Sequence, residues 1–471
     1  MMNNKTKNLK PAENLNDVFN NLSLEPLTGR AEFKAFYRGD VNDVRGEDKV
    51  KRISLGLKRA FQGARFKCLV AGHPGVGKST ELTKLAFGIE EKYEVIRFSV
   101  TNEFEPVSFR PFDVLLLIMI ETAERTEKIL TENKSKEKLS DNLLTDVLNW
   151  FAVEKVTLEK DTRIPGGIEA GVGAEDGSVW AKTLGLFAMI KGEMKFSSDR
   201  KKEIVEYRLK RISELLNLAN RLLDECNGLL YKVIEKEWLI IGEDFDKSGI
   251  PIERVEDFFI TYSNILKNLS IHIIATIPVT LAYSGQAESL LDKPFCIPDI
   301  PVFDKDHRVH DAGRKAIQSI LEARMDENLF DDGQVARLIA ASGGNLRDLF
   351  SMVMYATDNA IMRNAKTISE DDVTKSINNK RIEYRRSLGE SRYDKEKISL
   401  DDKIERLIQV YDGKPGANFT NDVMHSLLRA RAVQEFNGEG WYGVHPLVVD
   451  LLAELKALPN SDSGSVVGGT K

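Results

Sequence analysis

The stretch Gly72-His73-Pro74-Gly75-Val76-Gly77-Lys78-Ser79 reads G-x-x-x-x-G-K-S, and no other feature of the chain restricts its fold as tightly. Glycine at 72, 75 and 77 lets the backbone wrap closely around phosphate oxygens with its amide N–H groups turned inward, and a helix starting near Lys78 adds a favourable dipole. In that arrangement Lys78 contacts the β and γ phosphates, Ser79 ligates Mg²⁺ and Thr80 reaches the α-phosphate side. His73, Pro74 and Val76 complete the loop. Because a short pattern also arises by chance, its flanks decide. The apolar run Phe66-Lys67-Cys68-Leu69-Val70-Ala71 precedes it as a strand, Ser79 to Ile89 has helical periodicity, and Val95 to Val100 alternates like a second strand. The expected ligands are ATP or ADP with Mg²⁺.

Two more buried-strand candidates follow, Trp238-Leu239-Ile240-Ile241 and Ile271-His272-Ile273-Ile274-Ala275-Thr276, each after a long helical stretch. Parallel strands with helical crossovers, hence a doubly wound α/β core, are expected. The core is assigned to 24–300, after a mobile N-terminal segment at 1–23. A mainly helical insertion at about 103–236 is too long for one crossover. Within it, Pro111 to Leu130, Leu139 to Val153 and Ile204 to Leu223 read as helices forming a hairpin or coiled-coil-like arm, and the Gly-rich Gly166 to Gly192 as a β-hairpin or a segment ordered by a partner. A helical lid (301–385) comes next. In 398–456, helices near Asp401 to Tyr411 and Asn421 to Arg431, a hairpin turning at Asn437-Gly438-Glu439-Gly440 and a helix from Pro446 to Leu455 suggest a winged-helix domain. The tail 457–471, rich in Ser and Gly, reads as disordered.

At 471 residues and 42% hydrophobic content the chain can bury more than one core. Its Lys plus Arg (67) and Asp plus Glu (73) give a net charge of -6, so no chain-wide positive field draws it to nucleic acid or anionic lipid. Cys68, Cys226 and Cys296 lack the spacing of a disulfide framework or zinc site, and each lacks a neighbouring base, which fits a reducing cytoplasm. No apolar run approaches the ~20 residues that span a bilayer, so no membrane partner is expected.

The strand Trp238 to Ile241 runs into Gly242-Glu243-Asp244-Phe245-Asp246-Lys247, placing carboxylates where α/β ligands bind. Glu243 and Asp244 are the candidates for holding the metal and orienting the attacking water, in an order the residues leave open. An acidic helix cap is the bland alternative. Thr276 at the end of the next strand suits a γ-phosphate sensor or a buried threonine equally well. In Gly343-Gly344-Asn345-Leu346-Arg347-Asp348-Leu349, Arg347 sits on the first helical turn and can swing onto a phosphate, although a solvated arginine is the simpler reading.

Taken together and in order, the loop with Ser79-Thr80-Glu81-Leu82, the Glu-Asp-Phe-Asp-Lys cluster, Thr276-Ile277-Pro278 and the Gly343-to-Leu349 segment resemble bacterial STAND-type ATPases of the AAA+ group. The resemblance implies a sensor-1 role for Thr276 and a sensor-2 role for Arg347. Tyr442-Gly443-Val444-His445-Pro446-Leu447-Val448-Val449-Asp450-Leu451 resembles the M-H-D segment of nucleotide-binding immune receptors, which implies that His445 contacts the ADP β-phosphate. The family has aspartate where this chain has Pro446. The resemblance further implies an ATP-dependent switch of low turnover, self-assembly, and a separate effector or sensor protein, as in prokaryotic anti-phage defence. The alternative is a DNA-acting AAA+ ATPase, an initiator, loader or transposition regulator, that uses the winged helix on nucleic acid. For it the second helix offers only Arg429 and Arg431.

Overall fold

The computed structural model describes residues 9–161, 177–196, 202–247, 249–284, 294–390, 394, 397–436 and 441–458. Five strands, β1 (Lys67–Ala71), β2 (Tyr93–Ser99), β3 (Glu237–Glu243), β4 (His272–Thr276) and β5 (Phe295–Cys296), pair in parallel in the order β2-β3-β4-β1-β5. The alternation of side chains along each strand explains why both faces are apolar. Cys68, Val70, Leu239, Ile241 and Ile274 join the helices Lys49–Ala60 and Lys78–Ile89 in one cluster. Leu69, Ala71, Trp238, Ile240, Ile273 and Ala275 turn to the other face.

That second face is closed by the insertion. Helices Pro111–Glu132 and Ile212–Ile234 lie on it, burying Phe112, Leu116, Leu222 and Leu223 in the same cluster as the strand residues. The expected arm is therefore a structural layer of the core. Its polar contacts are equally internal: Trp238 donates from Nε1 to Thr126 Oγ1 (3.1 Å), and Asn227 Oδ1 accepts from the Trp238 amide (3.0 Å). The run expected as one helix from Ile204 is two, Lys202–Lys210 and Ile212–Ile234, parted at Arg211. Arg208, just before the break, is buried in a two-pronged ion pair with Glu154 (2.8 and 2.9 Å). The Gly-rich stretch is no hairpin where it is described, since Val179–Lys195 is helical and buries Phe187, Ile190 and Met194; the preceding 166–176 lies outside the described residues.

Helices Asp311–Glu322, Gln334–Ala341, Leu346–Met362 and Glu370–Ser387 follow the sheet. They share one hydrophobic cluster with the C-terminal unit, built from helices Leu400–Tyr411, Asp422–Arg429 and Pro446–Glu454 and the antiparallel strands β6 (Val433–Phe436) and β7 (Trp441–Val444). The expected turn at 437–440 lies outside the described residues. The N-terminal segment, expected to be mobile, is docked from residue 9 onward. Helix Leu15–Asn21 buries Leu15 and Val18 in this cluster together with Leu22 just beyond it, and Ala12 exchanges backbone hydrogen bonds with Arg324 and Asp326. Two buried apolar residues on one short helix, with a third just beyond it, were too few for a periodicity to show. Among the described residues no helix is long and apolar enough to cross a membrane.

Candidate functional site

The loop between β1 and helix Lys78–Ile89 takes the conformation its glycines allow. Gly75 and Gly77 both have φ 97°, a region that L side chains rarely enter. A Cβ on Gly75 would also lie 2.3 Å from Asn345 Oδ1, so the loop is packed directly against the start of the lid helix Leu346–Met362. Lys78 Nζ curls back to the carbonyls of Gly72 (2.7 Å) and His73 (2.9 Å) and pairs with Asp246 (2.8 Å).

A cavity of about 720 Å³ opens over this loop, a size that holds a small-molecule ligand. Gly72, Pro74, Gly75, Val76, Gly77, Lys78, Ser79 and Thr80 line its floor, with Asp244, Asp246, Thr276 and Arg347 around them. Leu24, Pro26, Leu27, Phe36, Pro278, Val279 and Leu346 supply apolar lining. Nearly all the residues expected from the sequence thus meet in one place. His73, Glu243 and His445 do not line it.

The acids divide differently from the sequence expectation. Glu243 ends β3 turned towards β2, where its Oε2 accepts from Arg97 Nε (2.9 Å); Arg97 also donates to the Ser79 carbonyl (3.1 Å). Asp244 sits at φ 70° and its carboxylate is held by Ser99 Oγ and Lys247. That left-handed residue reverses the chain and delivers Asp246, two positions later, to Lys78. Asp246 Oδ1 also accepts from Thr276 Oγ1 (3.4 Å). Asp246 is therefore the carboxylate nearest the loop cation, a place that alternation along an extended strand end would not assign to it. For Mg²⁺ the fitting donors are Asp246 and the Ser79 hydroxyl, both on the cavity. Arg347 makes no ion pair among the described residues and lies against Gly75, so its charge is available to a phosphate.

His73 is buried and its Nδ1 pairs with Asp299 (2.9 Å), whose other carboxylate oxygen accepts from Asn345 Nδ2 (3.2 Å). Asn345 Nδ2 further donates to the Pro74 carbonyl (3.0 Å), and the Asp299 amide donates to the Glu435 carbonyl in β6 (3.1 Å). Asp299 thus ties the phosphate loop, the lid and the C-terminal unit together at one buried point. Beside it, Asp348 on the lid accepts from Arg431 (3.0 Å) and from the Tyr384 hydroxyl (2.6 Å). Burial alone would raise the Asp348 carboxyl, but the neighbouring cations, Arg431 first and then Lys380, outweigh it and hold it below its ordinary value.

His445 departs from its expected role. It is fully buried, stacks on Tyr384 at 4.2 Å, faces the Ser342 carbonyl through Nε2 (3.2 Å) and accepts the Leu447 amide at Nδ1 (3.2 Å). Pro446, which opens the last helix, fixes the ring as that helix's cap. The histidine therefore braces the Ser342-to-Asn345 turn and stands one layer behind the cavity. Burial first, then nearby Arg431, pushes its pKa down to about 4 from an ordinary value of 6.5. The folded protein refuses a proton that the unfolded chain accepts, so His445 contributes stability above pH 6.5 and loses it as pH falls towards 4. The stability difference between wild type and His445→Gln, from urea unfolding, is expected to shrink by about 2 kcal/mol between pH 7 and pH 5. A pH-independent difference would contradict a buried neutral ring.

Sequence reasoning missed Asp246 as a site acid, together with Asp299, Asn345, Asp348 and Arg431. Asp246 stood within the acidic cluster, and Asn345 within the Gly-Gly-Asn turn. Nothing in the sequence linked Asp299 to His73.

No family model matches this chain, and no curated protein does. Among solved structures it is similar to a Walker-type ATPase of Pyrococcus abyssi, at 11% identity and TM-score 0.39 over 91% of this chain and 98% of that one. It is also similar to the ORC1 protein of Aeropyrum pernix, solved in complex with DNA (11%, TM-score 0.35, 87% of this chain and 93% of that one). A third is Cdc6p of Pyrobaculum aerophilum (10%, TM-score 0.36, 85% and 84%). Likeness at this level carries no functional conclusion. The parallel five-stranded sheet and the glycine loop entering a helix give the chain a P-loop α/β fold, followed by a helical unit.

Proposed function

We propose that this chain is an ATP-binding, slowly hydrolysing switch whose lid and C-terminal unit close over the nucleotide. The carrying observation is the buried node at Asp299, where one carboxylate holds His73 of the phosphate loop and Asn345 of the lid while its amide holds β6. Phosphates would lie along the loop between Lys78 and Arg347, with Mg²⁺ at Ser79 and Asp246, and the base against the apolar lining residues. Asp246 would hold the metal's water shell or accept the proton of attacking water. A γ-phosphate arriving between the loop and the lid would disturb the packing of Asn345 on Gly75, and that strain would pass to Asp299 and β6.

The DNA-acting alternative draws on the order helix, helix, hairpin in 398–456, a module that also reads duplexes. In this conformation the two arginines expected to serve it are engaged: Arg429 pairs with Asp394 (3.1 Å) and Arg431 with buried Asp348. Helix Asp422–Arg429 is itself packed inward, burying Met424, Leu427 and Leu428. DNA reading would therefore follow an opening of the unit and would not compete with the switch. Self-assembly, a separate effector and a defence setting rest on the sequence resemblance. Hydrogen exchange in β6 and β7 with ADP, with a non-hydrolysable ATP analogue and with duplex DNA tests the proposal.

A further inference from the structure

Lys78 already has a counter-ion in Asp246. A second cation at the same loop has none. Arg45 is 2% exposed, lines the cavity, and makes one hydrogen bond among the described residues, from Nη2 to the Val76 carbonyl (2.6 Å). Its Nε is buried without a partner, and no carboxylate lies within ion-pair distance among the described residues. A guanidinium is always charged, and burying it with its Nε unpartnered and no carboxylate beside it is unfavourable unless an anion arrives.

The surroundings agree. Glu81, the acid that could have approached, accepts from Tyr37 (3.0 Å) and Asn42 (3.3 Å), and Asp299 serves His73 and Asn345. Burial lowers the Arg45 pKa by more than these two distant carboxylates restore. The single bond to Val76 anchors the guanidinium at the loop while leaving its other edge unused.

We propose that Arg45 is a ligand of the bound nucleotide, supplying the phosphate chain with a second, arginine-based contact beside Lys78. This rests on the assignment of the cavity as a nucleotide site. Fixed planar donors with no internal carboxylate suit a phosphate group better than a neutral ribose or base.

The test compares wild type, Arg45→Gln, Arg45→Met and Lys78→Ala by calorimetric titration with ADP and with adenosine, alongside melting of each unliganded protein. Both Arg45 variants are expected to bind ADP about ten- to a hundred-fold more weakly, with adenosine binding unchanged. Their unliganded melting temperatures should equal or exceed that of wild type, because an unpaired buried charge has been removed. Wild-type ADP affinity in either variant overturns the proposal. So does a lower unliganded melting temperature in both, or failure of both to fold, since Arg45 is then a brace for the loop. If wild type itself binds no ADP, the nucleotide site falls and Arg45 with it, whereas loss in Lys78→Ala but not in the Arg45 variants removes Arg45 alone.

Discussion

Lys78→Ala is expected to lower ADP and ATP affinity by about 10²–10⁴-fold, the loss of two or more charge-assisted hydrogen bonds to phosphate. The structure adds a second reason for so large an effect. Lys78 neutralises Asp246 at 2.8 Å, so alanine also leaves a carboxylate facing the incoming phosphates. A double variant, Lys78→Ala with Asp246→Asn, should recover part of the lost affinity, and recovery measures the repulsion separately from the missing contacts. Titration of wild type, Lys78→Ala, Asp246→Asn and the double variant with ADP gives both numbers. Affinity near wild type in Lys78→Ala would remove the nucleotide from this loop.

Asp246→Asn alone should bind ATP within about threefold of wild type while turnover falls by about 10²–10³-fold, because the acid acts on metal and water more than on the phosphates. Glu243→Gln should behave in the opposite manner. Its partner Arg97 is drawn onto the Ser79 carbonyl and Thr83, and weakening that ion pair should lower thermal stability while sparing more of the turnover. Steady-state hydrolysis and melting curves on both variants separate the acids. A loss of turnover in Glu243→Gln as large as that in Asp246→Asn, without loss of stability, would restore the assignment made from strand position alone.

Much of this was legible because local patterns determine local elements. Short apolar runs located β1, β3 and β4, and the Asn-Gly signal located β6 and β7 with the boundaries found. The glycine loop placed its own cation. What escaped was set by single backbone angles and by long-range packing. Asp244 sits in the left-handed region, and it is Asp246, two positions later, whose carboxylate pairs with Lys78. The insertion helices carry apolar stripes that fit an arm or a sheet cover equally, and only the second face of the sheet decides between them. His445 drew attention by the residues around it, yet Pro446 commits its ring to a helix cap and the Ser342 carbonyl. Arg45 and Asp299 have no sequence signature, since their roles arise from which partners the fold withholds or supplies.

The switch is tested most directly by amide hydrogen exchange across Val433–Phe436 and Trp441–Val444 in wild type and Lys78→Ala, without nucleotide, with saturating ADP and Mg²⁺, and with a saturating non-hydrolysable ATP analogue. Wild type should keep both strands protected with ADP and lose protection with the analogue, as the Asp299 link to the Glu435 carbonyl gives way, while Lys78→Ala responds to neither. Exchange that is the same with both nucleotides in wild type, or that rises with duplex DNA whatever nucleotide is present, would contradict a C-terminal unit governed by the γ-phosphate.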